Sequence, residues 1–218
     1  PTAYYMGLMD EHQTSKAENL AAKVVKLIEE ENWEDAHTAR VGLLQYIKNV
    51  TGLPTLLDVR REVEYYTSKR GVDYLTQFMN NEEMQASLLN IGPLKWESCS
   101  DKVLERLGSD VAKSVKHLVE ELLNQSIPIL LYQGQFDLQD GVASSEAWIR
   151  LLEWDGLDRF YDSDRRVWKE NNVVLGYVRS YSSFTHVVVS NSGHLVPADQ
   201  AYTSQRMIEG WISSKGII

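Results

Sequence analysis

The sequence predicts an α/β fold carrying a largely helical insertion. Three observations point there. The first half is dominated by amphipathic helical periodicity. A strong helical pattern starting at Asp110 then feeds "IPILLYQ", a continuous apolar run of strand length, and a helix delivering a buried strand is the mark of an α/β sheet. Beyond that run, β-branched segments alternate with helical ones to the end of the chain.

The elements follow in order. From Ala17 to Glu30 the residues Leu20, Val24, Val25, Leu27 and Ile28 recur at helical spacing with charges on the other face. Asn32 stands before Trp33 with Asp35 three positions on, a start signal of capping-box type. Trp33, Ala36, Leu43, Leu44 and Ile47 then mark a second helix that Gly52 and Pro54 end. "DYLTQFM" and "NEEMQASLL" read as two short helices capped by Asp73 and Asn81. Asp110 caps the pattern Val111, Val115, Leu118, Val119 and Leu122. After the strand, "SSEAWIRLL" reads as a serine-capped helix, "VVLGYVRS" and "FTHVVVS" as strands, and "QAYTSQRMIEGWI" as a closing amphipathic helix. No internal repeat or low-complexity linker divides the chain. The expected organisation is an entry segment at 1–15, a helical cap or insertion at 16–108 and an α/β part at 109–218.

Composition narrows the function. The 218 residues are 43% hydrophobic, enough for one well-filled core, and the net charge of −9 with scattered lysines and arginines offers no basic stripe for nucleic acid. No apolar run approaches the roughly 20 residues of a membrane span. The opening "PTAYYMGLMDEHQ" has no basic region followed by a long apolar stretch. A single cysteine, Cys99, has no partner for a disulfide within the chain, and taken alone it reads as a reduced thiol. Asn49 and Asn124 open N-x-S/T triplets that permit glycosylation in a secretory protein.

Several site types are excluded by spacing. No two glycines stand closer than six residues, so a dinucleotide fingerprint, a phosphate loop and a GxSxG nucleophile elbow are all absent from these residues. No two histidines stand three to five residues apart and one cysteine makes no thiolate cluster, so no local metal motif exists; no metal and no cofactor is expected.

What remains is a pair of strand ends: Asp137 after "ILLYQGQF" and His194 after "THVVVSNSG". Reactive groups in open α/β sheets collect where strands end at their carboxyl edge. Acid before base is also the order of a hydrolase-type Ser…Asp…His triad. Asp137 reads equally as a turn former accepting backbone hydrogen bonds, and His194 as an ordinary loop histidine. Asp140 and Asp199 read as turn or cap residues, and His186, in mid-strand, as a packing residue.

Two blocks carry more than spacing. "LLYQGQFDLQDGVASSEAWI" and "VVVSNSGHLVPADQ" resemble, in order, the aspartate and histidine blocks of the serine carboxypeptidase family, particularly its plant serine carboxypeptidase-like and retinoid-inducible branch. "YYMGLMDEHQ", "TGLPTLLDVRR" and "WESCSDKV" extend the resemblance over essentially the whole chain, which looks like the C-terminal portion of such an enzyme.

The resemblance implies an α/β-hydrolase fold, with this chain holding the C-terminal part of the sheet and a helical cap. It implies that Asp137 and His194 are the acid and base of the triad, and that Leu195 faces the leaving-group side of the substrate pocket. The family's Gly-Glu-Ser-Tyr-Ala-Gly nucleophile block and its Trp-Asn-Gly segment are absent here and would lie upstream, together with the oxyanion-hole amides. The implied partner is therefore an N-terminal part or chain carrying the serine, linked through a disulfide at Cys99. An oxidising secretory compartment, vacuolar, lysosomal or extracellular, follows from that pairing. The implied activity is serine-type carboxypeptidase action on peptides, this chain alone being inactive. Acyl transfer from an activated ester by the same triad, or a non-catalytic binding role for the fragment, are the competing readings.

Overall fold

A computed structural model describes residues 2–63, 69–87, 94–97, 100–213 and 217. In chain order the elements are helices α1 (Thr2–Tyr5), α2 (Glu11–Glu29), α3 (Trp33–Thr51), α4 (Lys69–Met79), α5 (Glu82–Ser87), α6 (Asp101–Val111) and α7 (Lys116–Asn124), then strand β1 (Ile129–Gly134). Helices α8 (Val142–Ile149) and α9 (Leu157–Asp162), strands β2 (Arg166–Glu170), β3 (Val173–Tyr181) and β4 (Phe184–Val189), and helices α10 (Val196–Asp199) and α11 (Ala201–Ile212) complete it. The chain divides into two compact units, one formed by Pro1–Glu18, Leu44–Arg61 and Ser114–Ile218, the other by Asn19–Leu43 and Glu62–Lys113.

The first unit contains the sheet, ordered β1-β4-β3-β2. Strands β1 and β4 run parallel in a register that opposes Gly134 to Val189, so both end at the same edge. The pairs β4–β3 and β3–β2 are antiparallel. Alternation along β4 explains why all of it but Thr185 is buried. Val187 and Val189 join Trp168, Val178, Val196 and Met207 on one face, which α10 and α11 cover. Phe184 packs on the other with Leu123, Ile149, Leu152 and Phe160, from α7, α8, α9 and the turn after α8. A strand with helices on both faces has no polar face to show, which is why "FTHVVVS" lacks a polar alternation.

The second unit is helical. Gly108 on α6 lies so close to the His37 ring on α3 that a β-carbon there would stand 3.0 Å from its Cδ2. Gln85, buried on α5, donates to the carbonyls of Met79 (2.8 Å) and Leu94 (2.6 Å) and accepts from Leu94 N–H (3.1 Å). One glutamine thereby ties the end of α4 to the backbone of Leu94.

Several sequence expectations are corrected. The stripe expected to form one helix from Asp110 belongs to two helices, α6 ending at Val111 and α7 starting at Lys116. Ser114 accepts a hydrogen bond from Lys116 N–H (3.2 Å), a local turn that competes with continuing the helix. Asp110 is thus inside α6 and caps nothing, and Val111, Val115, Leu118 and Leu122 are exposed, whereas Leu123 enters the core. Asp73 likewise lies within α4, whereas Asn81 does cap α5, accepting from Met84 N–H at 3.0 Å. Helix α8 starts at Val142 behind Gly141 with no side-chain cap, because Ser144 donates back to the Gly141 carbonyl (2.8 Å). Strand β2 and helix α9 were not foreseen. Asn171 and Asn172, both at positive φ (47° and 64°), make the two-residue hairpin turn that reveals β2.

Among the described residues no helix is long and apolar enough to cross a membrane, and no group of acidic, histidine or cysteine side chains could hold a metal ion.

Candidate active site

The parallel β1–β4 pair brings the two sequence-selected residues together. Asp137 follows the end of β1 and His194 the end of β4, at the edge where the register opposes Gly134 to Val189. Although 57 residues apart, they meet: His194 Nδ1 lies 2.8 Å from Asp137 Oδ2. The Asp137 side chain is 2% exposed, against 40% for His194. A buried carboxylate paired with a half-exposed imidazole fixes the ring by its Nδ1 and leaves Nε2 for other work.

Asp137 is also the turn former that its position allowed. Its Oδ1 accepts the N–H groups of Gln139 (2.9 Å) and Asp140 (3.0 Å), so one oxygen shapes the loop and the other holds the histidine. Gly141 closes this loop, its α-carbon lying against the Asp137 carbonyl where a β-carbon would collide.

A third segment, residues 55–61, holds both loops. Leu56 O accepts from Leu138 (3.0 Å) and Gln139 (3.2 Å), Val59 N–H donates to Phe136 O (3.1 Å), and Leu57 O accepts from His194 N–H (2.8 Å). Asp58, 1% exposed, is clamped by Arg60, whose Nε and Nη2 donate to its two oxygens at 2.9 and 2.7 Å. Burial pushes the Asp58 carboxyl up, but the Arg60 hydrogen bonds, with the charges of Arg60 and Arg61, overcome it and hold the group below its ordinary range. Arg60 also lies over the Phe136 ring, 4.6 Å from its centre. Arg61 reaches across to Asp199, Nη2 to Oδ1 at 2.8 Å, and Asp199 Oδ2 accepts from Gly193 N–H at 2.8 Å. Asp199 is therefore part of the histidine loop's support, at the end of α10, and more than a turn or cap residue.

Below the site, on the α8 side of the sheet, His186 is 3% exposed, 2.6 Å from Gln133 Oε1 and 3.5 Å from Glu146. Hydrogen bonding to His186 leads the effects that hold the Glu146 carboxyl below its usual range, against the opposing effect of burial. His186 thus serves packing, as its mid-strand position implied, within a polar cluster of the core.

The remaining sequence-selected residues do not join the pair. Leu195 is half-buried beside His194 at the start of α10. Asn49 and Asn124 are exposed, at the ends of α3 and α7. Cys99 lies outside the described residues. Asp58, Arg60 and Arg61 escaped selection although "TLLDVRR" stood out. The signal that could have found them is a doublet of arginines two and three residues after an acid, the spacing of a self-clamped turn.

The Asp137–His194 pair thus sits at the shared edge of two adjacent parallel strands. Residues 1–214 match the serine carboxypeptidase family. The chain belongs to that family. It is 40% identical over 215 residues to Serine carboxypeptidase-like 50 of Arabidopsis thaliana, covering 98% of this chain and 47% of that protein. It is 34% identical over 220 residues to the Probable serine carboxypeptidase CPVL of Dictyostelium discoideum, 98% of this chain and 43% of that one. In structure it resembles Kex1(Δ)p, a prohormone-processing carboxypeptidase from Saccharomyces cerevisiae, with a TM-score of 0.78 at 20% identity, over 98% of this chain and 50% of the other. The fold is that of an α/β-hydrolase. The chain spans about half the length of the curated relatives it matches.

Proposed function

We propose that this chain supplies the acid and base of a serine carboxypeptidase triad, with the nucleophilic serine on an N-terminal part of the same enzyme. One observation carries the reading: the 2.8 Å contact of His194 Nδ1 with the buried Asp137 carboxylate, at the shared edge of two parallel strands. In the reaction, His194 Nε2 takes the proton of the serine hydroxyl as its oxygen attacks the carbonyl of the peptide's last bond. Asp137 holds the ring in the tautomer with its proton on Nδ1 and stabilises the imidazolium. The imidazolium returns that proton to the departing amine, leaving an acyl-enzyme. A water molecule, deprotonated by His194, then releases the shortened peptide and regenerates the serine.

The reliance on an N-terminal part has support in unit 1. Among the described residues β1 is an edge strand, paired to β4 alone, and α7 exposes Val115 at its start, then Leu118 and Leu122. An apolar strand edge and an apolar helix face are surfaces that folded proteins ordinarily cover. Cys99 is assigned to a disulfide with that N-terminal part, and Leu195, beside His194, to the leaving-group side of the substrate pocket. The exposed Asn49 and Asn124 are assigned as glycan acceptors of a protein in the secretory pathway, vacuolar, lysosomal or extracellular.

The test is labelling of the native enzyme with a fluorophosphonate serine probe, together with turnover of a blocked dipeptide. Wild-type enzyme should label at a serine outside these residues. His194→Ala should lose about 10⁴-fold or more in kcat while keeping its thermal transition. Wild-type turnover in His194→Ala would overturn the assignment.

A further inference from the structure

We infer that Asp199, aligned by Arg61, is a positioning residue for His194. The inference rests on the proposed role of His194 as the base. Asp199 lies at the C-terminal end of α10, and its side chain is 7% exposed. Its Oδ2 holds the backbone N–H of Gly193, the residue before the histidine, so its grip is on the loop rather than on the ring.

The loop from Ser190 to Leu195 must deliver the ring to within 2.8 Å of a carboxylate that is itself fixed, so small movements of its backbone matter. Among the contacts that hold Gly193 and His194, three bear on the loop's backbone from residues 57–58 and from α10. Leu57 O accepts His194 N–H at 2.8 Å, Asp199 Oδ2 accepts Gly193 N–H at 2.8 Å, and the Gly193 α-carbon packs so tightly on Asp58 that a β-carbon would stand 2.5 Å from Asp58 Cβ. The first and third come from one segment, residues 57–58. Asp199 comes from a separate element, α10, and it alone among the three uses a charge to hold the peptide plane.

Asp199 is in turn fixed by the same segment. Arg61 Nη2 reaches its Oδ1 at 2.8 Å, and Arg60 Nη2 lies 3.8 Å from its Oδ2 while clamping Asp58. The two carboxylates Asp58 and Asp199 therefore flank Gly193 and share two guanidinium groups. A charge-assisted hydrogen bond between a buried carboxylate and a backbone amide is short and directional, which suits orientation better than stability alone. Positioning of a catalytic group is worth about 100-fold in rate for a displacement near 1 Å.

The test is made in the complete enzyme with Asp199→Ala, Asp199→Asn and Arg61→Gln. Both Asp199 substitutions remove the charge, but the amide oxygen of asparagine still accepts Gly193 N–H, so their difference isolates the hydrogen bond. Asp199→Ala should lower kcat about 10- to 100-fold with KM within about twofold. It should also weaken the downfield proton resonance of the His194–Asp137 hydrogen bond. Asp199→Asn should restore most of both. Arg61→Gln, at a partly exposed residue, should lose about three- to tenfold in kcat with KM unchanged, and keeps the test open should Asp199→Ala fail to fold. Wild-type kcat in folded Asp199→Ala or in Arg61→Gln, equal losses in the Ala and Asn variants, or a lowered Tm with an intact proton resonance would overturn the inference. An active His194→Ala enzyme would instead remove the base itself, whereas an inactive His194→Ala beside an unimpaired Asp199→Ala sinks the positioning role alone.

Discussion

Gly134 and Gly193 meet backbone to backbone: a β-carbon at Gly134 would collide with the Gly193 carbonyl oxygen, and with that of Ser192. The last residue of β1 and the residue before His194 are thus packed without room for a side chain. Phe136 N–H donates to Ser192 O at 2.9 Å just beyond, stitching the aspartate loop to the histidine loop. The approach of Asp137 to His194 is therefore set by the backbone before either side chain is placed.

Gly134→Ala should push the two loops apart. The obstructing atoms are backbone and cannot rotate away, so overpacking should cost about 1–3 kcal/mol. Denaturant unfolding of the variant measures the first effect. The kcat of the complete enzyme measures the second and should fall with it.

Asp137→Asn should leave the fold in place and lower kcat by about 10⁴-fold, because an amide cannot stabilise the imidazolium and favours the wrong tautomer. The turn would survive through the remaining oxygen, which can still accept from Gln139 and Asp140 N–H. Unchanged kcat would contradict the role given to this residue.

Asp58 gives the protein an acid-side dependence of stability. Its folded carboxyl sits below the ordinary value of 3.8, since the Arg60 and Arg61 contacts outweigh burial. The stabilisation it contributes is present above the unfolded value and is lost as pH falls through the lower folded one. Wild type should exceed Asp58→Asn in stability at neutral pH, with the gap closing below about pH 4. Thermal unfolding of both proteins across that range checks it.

Tyr161 gives the opposite sign at high pH. Burial, then the Glu146 carboxylate that its hydroxyl donates to at 3.1 Å, push its pKa up to about 12. The protonated phenol is the form the fold prefers, so its contribution is intact below the unfolded value near 10 and is lost as pH rises towards 12. Tyr161→Phe should flatten that part of the alkaline stability curve.

The sequence by itself determined the fold class, most elements and the two residues that meet at the site. Those features are written in local chemistry. The apolar run "IPILLYQ" reads as a strand, although the structure makes it a half-buried edge strand, and Asp137 and His194 were visible because each follows such a run. The resemblance of the blocks around them to serine carboxypeptidases pointed the same way, and the family match agrees with it. Boundaries were less legible where local signals competed. Asp110 and Asp73 look like caps in a linear text but lie inside helices, and the stripe through Val115 and Leu118 faces outward. Helical periodicity specifies a face, and only packing decides what covers it.

What the tertiary structure alone decided is the support of the histidine loop. Asp58 and Asp199 are far apart in the chain, and Arg61 lies 138 residues from the aspartate it binds. No periodicity or spacing relates them, because the relation is made by where β1 and β4 end and by a segment that crosses both loops. Gly193 is required for the same reason. Its φ is unremarkable, and the constraint is the nearness of Asp58, a contact that exists only once the chain is folded.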